Sequence, residues 1–272
     1  MSLAPIGLFD SGVGGLSVLR AIRQHLPNEH LIFFADQQHV PYGPRPIAQV
    51  REFSEAITRF LLAQGAKLIV VACNTASAAA LYHLRATFPS VPFVGMEPAV
   101  KPAAQSTHSG VVGVLATPAT FQGDLYASVL ERFASGVQVL QDTCPGLVTQ
   151  IEQGELDSPK TRRILEEALH PMLAAGIDRV VMGCTHYPFV IPLIQEIAGP
   201  QVEVIDPAPA IARQARRLLD KYDLHNPDPS HGWVRYLTSG ETTQLEPLLP
   251  TLIDTTAPVT RIQWRQGHLV NT

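Results

Sequence analysis

The chain has 272 residues, 46% of them hydrophobic, and a formal net charge of −4. That apolar content excludes a disordered chain and suffices for one large core or two of roughly 100 to 150 residues each. The slightly acidic balance, with no basic stretch alternating with aromatics, argues against nucleic acid as a partner, and no apolar run approaches the ~20 residues of a membrane helix.

Ile6 to Phe9 reads as a strand, Asp10 to Gly15 as a glycine-rich turn, and Leu16 to His25 as a helix closed by Pro27. His30 to Ala35 is the next strand. Three prolines and Gly43 make Asp36 to Pro46 a loop, and Ile47 to Gln64 returns to helical spacing. Strand Lys67 to Ala72, helix Ala76 to Thr87 and strand Pro92 to Gly95 continue the series. Alternation of this kind implies parallel pairing with right-handed crossovers.

The series then begins again, with strands at Val111 to Leu115, Val137 to Leu140, Arg179 to Met182 and Val202 to Ile205. Ile6-Gly-Leu-Phe-Asp10 matches Val112-Gly-Val-Leu-Ala116, and Leu31 to Asp36 matches Val137 to Asp142, both offset by 106 positions. Leu68-Ile-Val-Val-Ala-Cys73 matches Arg179-Val-Val-Met-Gly-Cys184 at an offset of 111, and Glu97-Pro98-Ala99 matches Asp206-Pro207-Ala208 at 109. The fold class is therefore α/β: two similar open, mainly parallel-sheet domains related by pseudo-twofold symmetry, with the active site in the cleft between them. Helix Ala208 to Tyr222 and strands Trp233 to Leu237 and Val259 to Trp264 make too small a third domain, so they pack back on the first half. The expected domains are residues 1–97 with 208–272, and residues 98–207.

The three cysteines, Cys73, Cys144 and Cys184, are an odd count without the close pairing of a zinc ribbon. With no charged start followed by a long apolar segment, the expectation is a cytoplasmic protein with reduced thiols. Cys73 and Cys184 each end a β-branched run too apolar for a solvent-facing strand and are followed by small polar residues, Asn74-Thr75 and Thr185-His186. That places a thiol at the carboxyl end of a strand twice, each expected at the start of a helix, where the thiolate is favoured. Cys144 has no such setting and reads as packing.

Asp10 is the only charge in its strand and suits either a helix cap or catalysis. The glycines after it lack the dinucleotide fingerprint, since Ser17 stands where a third glycine is required. They would still let backbone amides approach an anion. His186, two residues past Cys184, titrates near neutrality, so that it and Asp10 would give each sulfur a proton relay. Zinc is the weaker reading of Cys73, Cys184, His186 and Asp10, because no short ligand pair anchors a site. Pro41-Tyr42-Gly43 lies in a loop at the ligand-facing edge, and Thr117 and Thr120 offer hydroxyls there or cap a helix.

Inverting a stereocentre needs an acid and a base on opposite faces of one carbon, and two opposed thiols meet that need. Pyridoxal chemistry requires a lysine Schiff base, and none of Lys67, Lys101, Lys160 and Lys221 ends a strand. The carbanion would instead be stabilised by hydrogen bonds from Ser11, Asn74, Thr75, Thr185 and backbone amides.

On Gly7-Leu-Phe-Asp10-Ser11-Gly-Val-Gly-Gly-Leu, Pro41-Tyr42-Gly43, Val71-Ala-Cys73-Asn74-Thr75-Ala-Ser and Gly183-Cys184-Thr185-His186-Tyr-Pro, the chain resembles the glutamate racemases of the aspartate/glutamate racemase superfamily. The resemblance implies cofactor-independent interconversion of L- and D-glutamate, supplying D-glutamate for peptidoglycan. It implies Cys73 and Cys184 as the acid/base pair, assisted by Asp10 and His186. Substrate contacts are implied for Asp10, Ser11, Tyr42, Gly43, Asn74, Thr75, Thr185 and His186, with no metal. It places Glu152 near the site, although locally Glu152 reads as an exposed helical charge, and it implies a homodimer. The rival readings are a racemase of aspartate or another small acid, which the same thiols would serve, and an amino-acid binding module whose cysteines only pack.

Overall fold

The computed structural model describes residues 1–271, which form two compact units, residues 1–96 with 208–271 and residues 97–207. The first unit opens with β1 (Ile6–Asp10), α1 (Leu16–His25), β2 (Leu31–Ala35), α2 (Ile47–Ala63), β3 (Leu68–Val71), α3 (Asn74–Thr87) and β4 (Phe93–Gly95). The second contains α4 (Val100–Ser106), β5 (Val111–Ala116), α5 (Pro118–Phe121), α6 (Asp124–Phe133), β6 (Gln138–Asp142), α7 (Leu147–Glu152), α8 (Pro159–Ala174), β7 (Arg179–Gly183), α9 (Ile191–Ala198) and β8 (Glu203–Ile205). The chain then rejoins the first unit as α10 (Ala208–Tyr222), β9 (Val234–Thr238), α11 (Thr242–Leu245), α12 (Leu248–Ile253), β10 (Val259–Arg265) and β11 (His268–Asn271).

The seven strands of the first sheet lie in the order β11-β10-β9-β2-β1-β3-β4 and the four of the second in the order β6-β5-β7-β8. All pairings are parallel except β10 with β11. Every residue of β1, β2, β3 and β7 is buried, as strands covered on both faces must be. β6, an edge strand, is half exposed; it starts one residue later and runs two residues further than its sequence pattern indicates. Beyond the expected elements, β11 turns back on β10 through Gln266 and Gly267, both at positive φ, the backbone of a two-residue hairpin turn.

In each unit the first strand in sequence lies between the second and the third, so the strand order reverses beside β1 and beside β5. In open α/β sheets the crevice at the carboxyl ends of such neighbouring strands is where ligands bind. Asp10 ends β1 and Cys73 follows β3; Ala116 ends β5 and Cys184 follows β7. Ala116 pairs with Gly183. A Cβ on Gly183 would lie 2.6 Å from the Ala116 Cβ and 2.9 Å from the Leu115 carbonyl, so the close seating of β7 beside β5 requires glycine just before the thiol.

Among the described residues, no helix is long and apolar enough to cross a membrane.

Candidate active site

In the first unit, Cys73 is the N-cap of α3: its backbone is extended (φ −144°, ψ 123°) and its Sγ accepts the Ala76 N–H at 3.4 Å. The helix thus starts at Asn74, two residues before the expected Ala76, and the sulfur lies at the positive end of the helix dipole. Ser11 Oγ is 3.9 Å from that sulfur. Asn74 is buried, and neither its side-chain oxygen nor its nitrogen has a hydrogen-bond partner in the protein. A buried amide left in that condition costs about 1–3 kcal/mol, which a bound polar ligand can return. Thr75 is buried beside it in sequence.

Asp10 is fully buried, and its Oδ2 accepts the N–H groups of Gly12 at 3.2 Å and Gly15 at 3.0 Å. Two amides of the glycine turn therefore hold Asp10 itself, so the turn is less open to an outside anion than its composition suggests. Asp10 does not cap α1 in the usual sense, because the N-cap is Gly15, with no side-chain cap. Tyr42 is buried and donates its hydroxyl to Asp36 Oδ2 at 2.6 Å, while Gly43 is half-buried. Burial, the Asp36 charge and hydrogen bond, and the charges at Cys73 and Asp10 together push the Tyr42 hydroxyl well above its ordinary pKa, so it stays a proton donor at neutral pH.

Asp36 is the residue that sequence reasoning missed. Besides Tyr42 it accepts Ser239 Oγ at 2.7 Å, Trp264 Nε1 at 2.7 Å and His39 Nδ1 at 2.9 Å. This fully buried carboxylate ties the Tyr42 loop to the returning strands β9 and β10. The available signal is a charge directly after β2, much as Asp10 ends β1.

In the second unit, Cys184 does not cap an α-helix, contrary to the expectation. A helix starting there would need N–H donors at positions 188 and 192, and both are proline. The chain instead closes i to i+3 bonds, with Tyr187 N–H to the Cys184 carbonyl at 3.1 Å and Phe189 N–H to the His186 carbonyl at 3.2 Å, giving a 3₁₀ turn over Tyr187–Val190 before α9.

His186 Nδ1 is 3.8 Å from Cys184 Sγ, and its Nε2 is 2.6 Å from Glu152 Oε1. The Glu152 side chain is only 13% exposed, so the reading of an exposed helical charge is corrected: it ends α7 facing an imidazole. Burial alone would lower the His186 pKa, but the hydrogen bonds and charges of Cys184 and Glu152 outweigh it and hold the imidazole well above its ordinary value. Thr185 is buried next to Cys184.

Cys144 is buried, with φ 43° and its N–H bonded to Asp142 Oδ1 at 2.7 Å; burial, then the Asp142 and Cys184 charges, push its thiol far up. It is a protonated packing group. Thr117 Oγ1 caps α5, accepting the Thr120 N–H at 3.4 Å. Among the described residues, no group of three or more His, Cys, Asp or Glu side chains gathers to hold a metal ion. Lys67 precedes β3, and Lys101, Lys160 and Lys221 lie within helices, so no lysine occupies the carboxyl end of a strand.

The structure thus gathers Asp10, Ser11, Tyr42, Cys73 and Asn74 at one sheet edge of the first unit, and Cys184, His186 and Glu152 at one edge of the second. The family profile described as Asp/Glu/hydantoin racemase matches residues 6–215. A glutamate racemase of Ectopseudomonas mendocina (strain ymp) is 52% identical over 258 residues, 95% of this chain and 98% of that one. Escherichia coli glutamate racemase, solved in complex with L-glutamate and activator UDP-MurNAc-ala, superposes with a TM-score of 0.83 at 31% identity, covering 98% of this chain and 100% of that one. The Francisella tularensis glutamate racemase solved in complex with D-glutamate gives 0.83 at 27%, covering 97% and 98%.

Proposed function

This chain belongs to the Asp/Glu/hydantoin racemase family and, within it, to the glutamate racemases, and from that premise we propose that it interconverts L- and D-glutamate by proton transfer between two thiols, without a cofactor. Cys73 and Cys184 act on opposite faces of one α carbon: one takes the proton as thiolate, the other delivers its own as thiol, and the roles reverse with the direction of reaction. The observation that carries this reading is the repeated position, each thiol within two residues of the carboxyl end of the strand beside its sheet's reversal.

Their helpers differ. Cys184 has His186 beside it, an imidazole whose pKa is held well above its ordinary value and whose far nitrogen is bonded to Glu152. Cys73 has the α3 amino terminus and Ser11, with buried Asp10 ending the neighbouring strand. The carbanion formed when the α proton leaves is stabilised by hydrogen bonds to the substrate carboxylate, for which Asn74, with both polar atoms unpaired, is the best-prepared group. Ser11, Tyr42, Gly43, Thr75, Thr185 and His186 complete the substrate contacts in this reading, and the chain acts as a cytoplasmic homodimer.

The product D-glutamate enters peptidoglycan synthesis. Complementation of a bacterium that requires added D-glutamate tests that role: growth without the supplement supports it, and continued dependence contradicts it. For the activity itself, purified protein and L-glutamate are incubated with no added cofactor while optical rotation is followed. Decay to zero is expected from either enantiomer, and a constant rotation in folded protein contradicts the reading.

A further inference from the structure

Within the first unit, a cavity of about 440 Å³ opens between the carboxyl half of α1, the start of β9 and the segment after α12. That volume lies in the range of small-molecule pockets, roughly 300–1,000 Å³. Its walls include Arg20, Arg23, Trp233, Tyr236, Asp254 and Thr255. Because Trp233 and Val234 stand at the amino end of β9, which runs parallel to β2 and β1, the cavity lies at the opposite end of the sheet from Asp10 and Cys73.

Arg23 donates from Nη1 to the carbonyls of Pro27, at 3.4 Å, and Gly232, while Arg20 Nη1 reaches the Leu252 carbonyl at 3.3 Å. Both Arg23 bonds run from one nitrogen, which leaves Nε and Nη2 as donors in the fork that suits a carboxylate or phosphate. Two arginines, Arg20 and Arg23, and one acidic residue, exposed Asp254, line the cavity, so the charged side chains of its wall sum to a positive charge.

The aromatic part of the wall is rigid. Trp233, a residue 42% exposed, stacks its ring on His30 with centroids 4.6 Å apart and planes 15° from parallel. Its backbone N–H is bonded to His30 Nδ1 at 3.2 Å and its carbonyl to the Leu31 N–H at 2.9 Å. An exposed indole held from behind by a second ring and fixed at both peptide groups offers stacking at low entropic cost.

We propose that this cavity binds a small planar anion, an aromatic ring bearing a phosphate or carboxylate, with the ring against Trp233 and the anionic group on Arg23. The site is separate from the thiols, and its occupancy does not depend on the racemase reading.

The test is calorimetric titration of the full chain with 1-naphthyl phosphate, 1-naphthol and inorganic phosphate. The expected result is saturable binding of 1-naphthyl phosphate, with the two partial probes at least tenfold weaker. Arg23→Gln and Trp233→Ala each weaken it tenfold or more, Trp233→Phe retains it, and glutamate turnover without the probe is unchanged in all three. Should Arg23→Gln fail to fold, as thermal melting would show, Arg23→Lys keeps the charge without the fork and is expected to weaken binding by a smaller factor. Absence of saturable binding at millimolar probe, equal affinity for 1-naphthol, or unchanged affinity in the folded arginine variant and Trp233→Ala overturns the proposal.

Discussion

Glu152 Oε1 lies 2.6 Å from His186 Nε2, and the opposite ring nitrogen of the same imidazole lies 3.8 Å from Cys184 Sγ. Carboxylate, imidazole and thiol therefore form one line in the second unit, in which the carboxylate orients the ring and favours its protonated form.

Glu152→Gln removes one of the contacts that hold the His186 pKa up, so that pKa falls. NMR titration of the His186 ring is expected to show the downward shift. A raised folded pKa contributes stability that is fully present below the unfolded value, about 6.5, and is lost as pH rises through the folded value. The stability gap between wild type and Glu152→Gln, measured by urea unfolding, is thus widest near pH 6 and narrows toward alkaline pH. Turnover falls by less than the ~10²-fold or more that loss of an acid/base group itself costs. An unshifted His186 contradicts the coupling.

Gly183→Ala places a methyl group 2.6 Å from the Ala116 Cβ and 2.9 Å from the Leu115 carbonyl. Overpacking of this kind costs about 1–3 kcal/mol. Because the displaced strand end carries Cys184, kcat is expected to fall along with the melting temperature. Wild-type kcat and stability would show that β7 has room to spare.

Tyr42→Phe removes one of the four donors to buried Asp36. A hydrogen bond to a charged group is worth about 1.5–3 kcal/mol, and the three remaining donors place the loss at the lower end. Denaturant unfolding measures it. The substrate KM is expected to rise as well, since the Tyr42 loop loses its anchor.

Cys144→Ser separates the third thiol from the other two. The serine hydroxyl enters a buried site at a cost of about 1–3 kcal/mol, so the melting temperature falls while turnover of the folded protein stays within a few-fold of wild type. Loss of turnover at unchanged stability would give Cys144 a chemical role.

Much of this is legible in the sequence, for a physical reason. β1, β2, β3 and β7 are buried on both faces, so their sequences are dense apolar runs that stop where the sheet stops, and the thiols and Asp10 stand at those stops. Half-exposed β6 lacks such a signature, and its limits shifted accordingly. The Asp36 hub was hidden by distance along the chain, as Ser239 and Trp264 lie 203 and 228 residues away. Glu152 looked exposed because its cover comes from His186, 34 residues later. The helix expected at Cys184 failed on hydrogen-bond accounting, since prolines at 188 and 192 remove two of the donors it would need.

The central claim is that two thiols serve opposite faces of one carbon, and isotope partitioning in deuterated water tests it most directly. L-glutamate is incubated with wild type, Cys73→Ser and Cys184→Ser, and the α position of each enantiomer is followed by NMR at low conversion. The two-thiol account predicts deuterium in the newly formed D-glutamate while unconverted L-glutamate keeps its protium, with racemisation abolished or crippled in both variants. Deuterium entering unconverted L-glutamate as fast as D-glutamate forms, or undiminished racemisation by either variant, would contradict it.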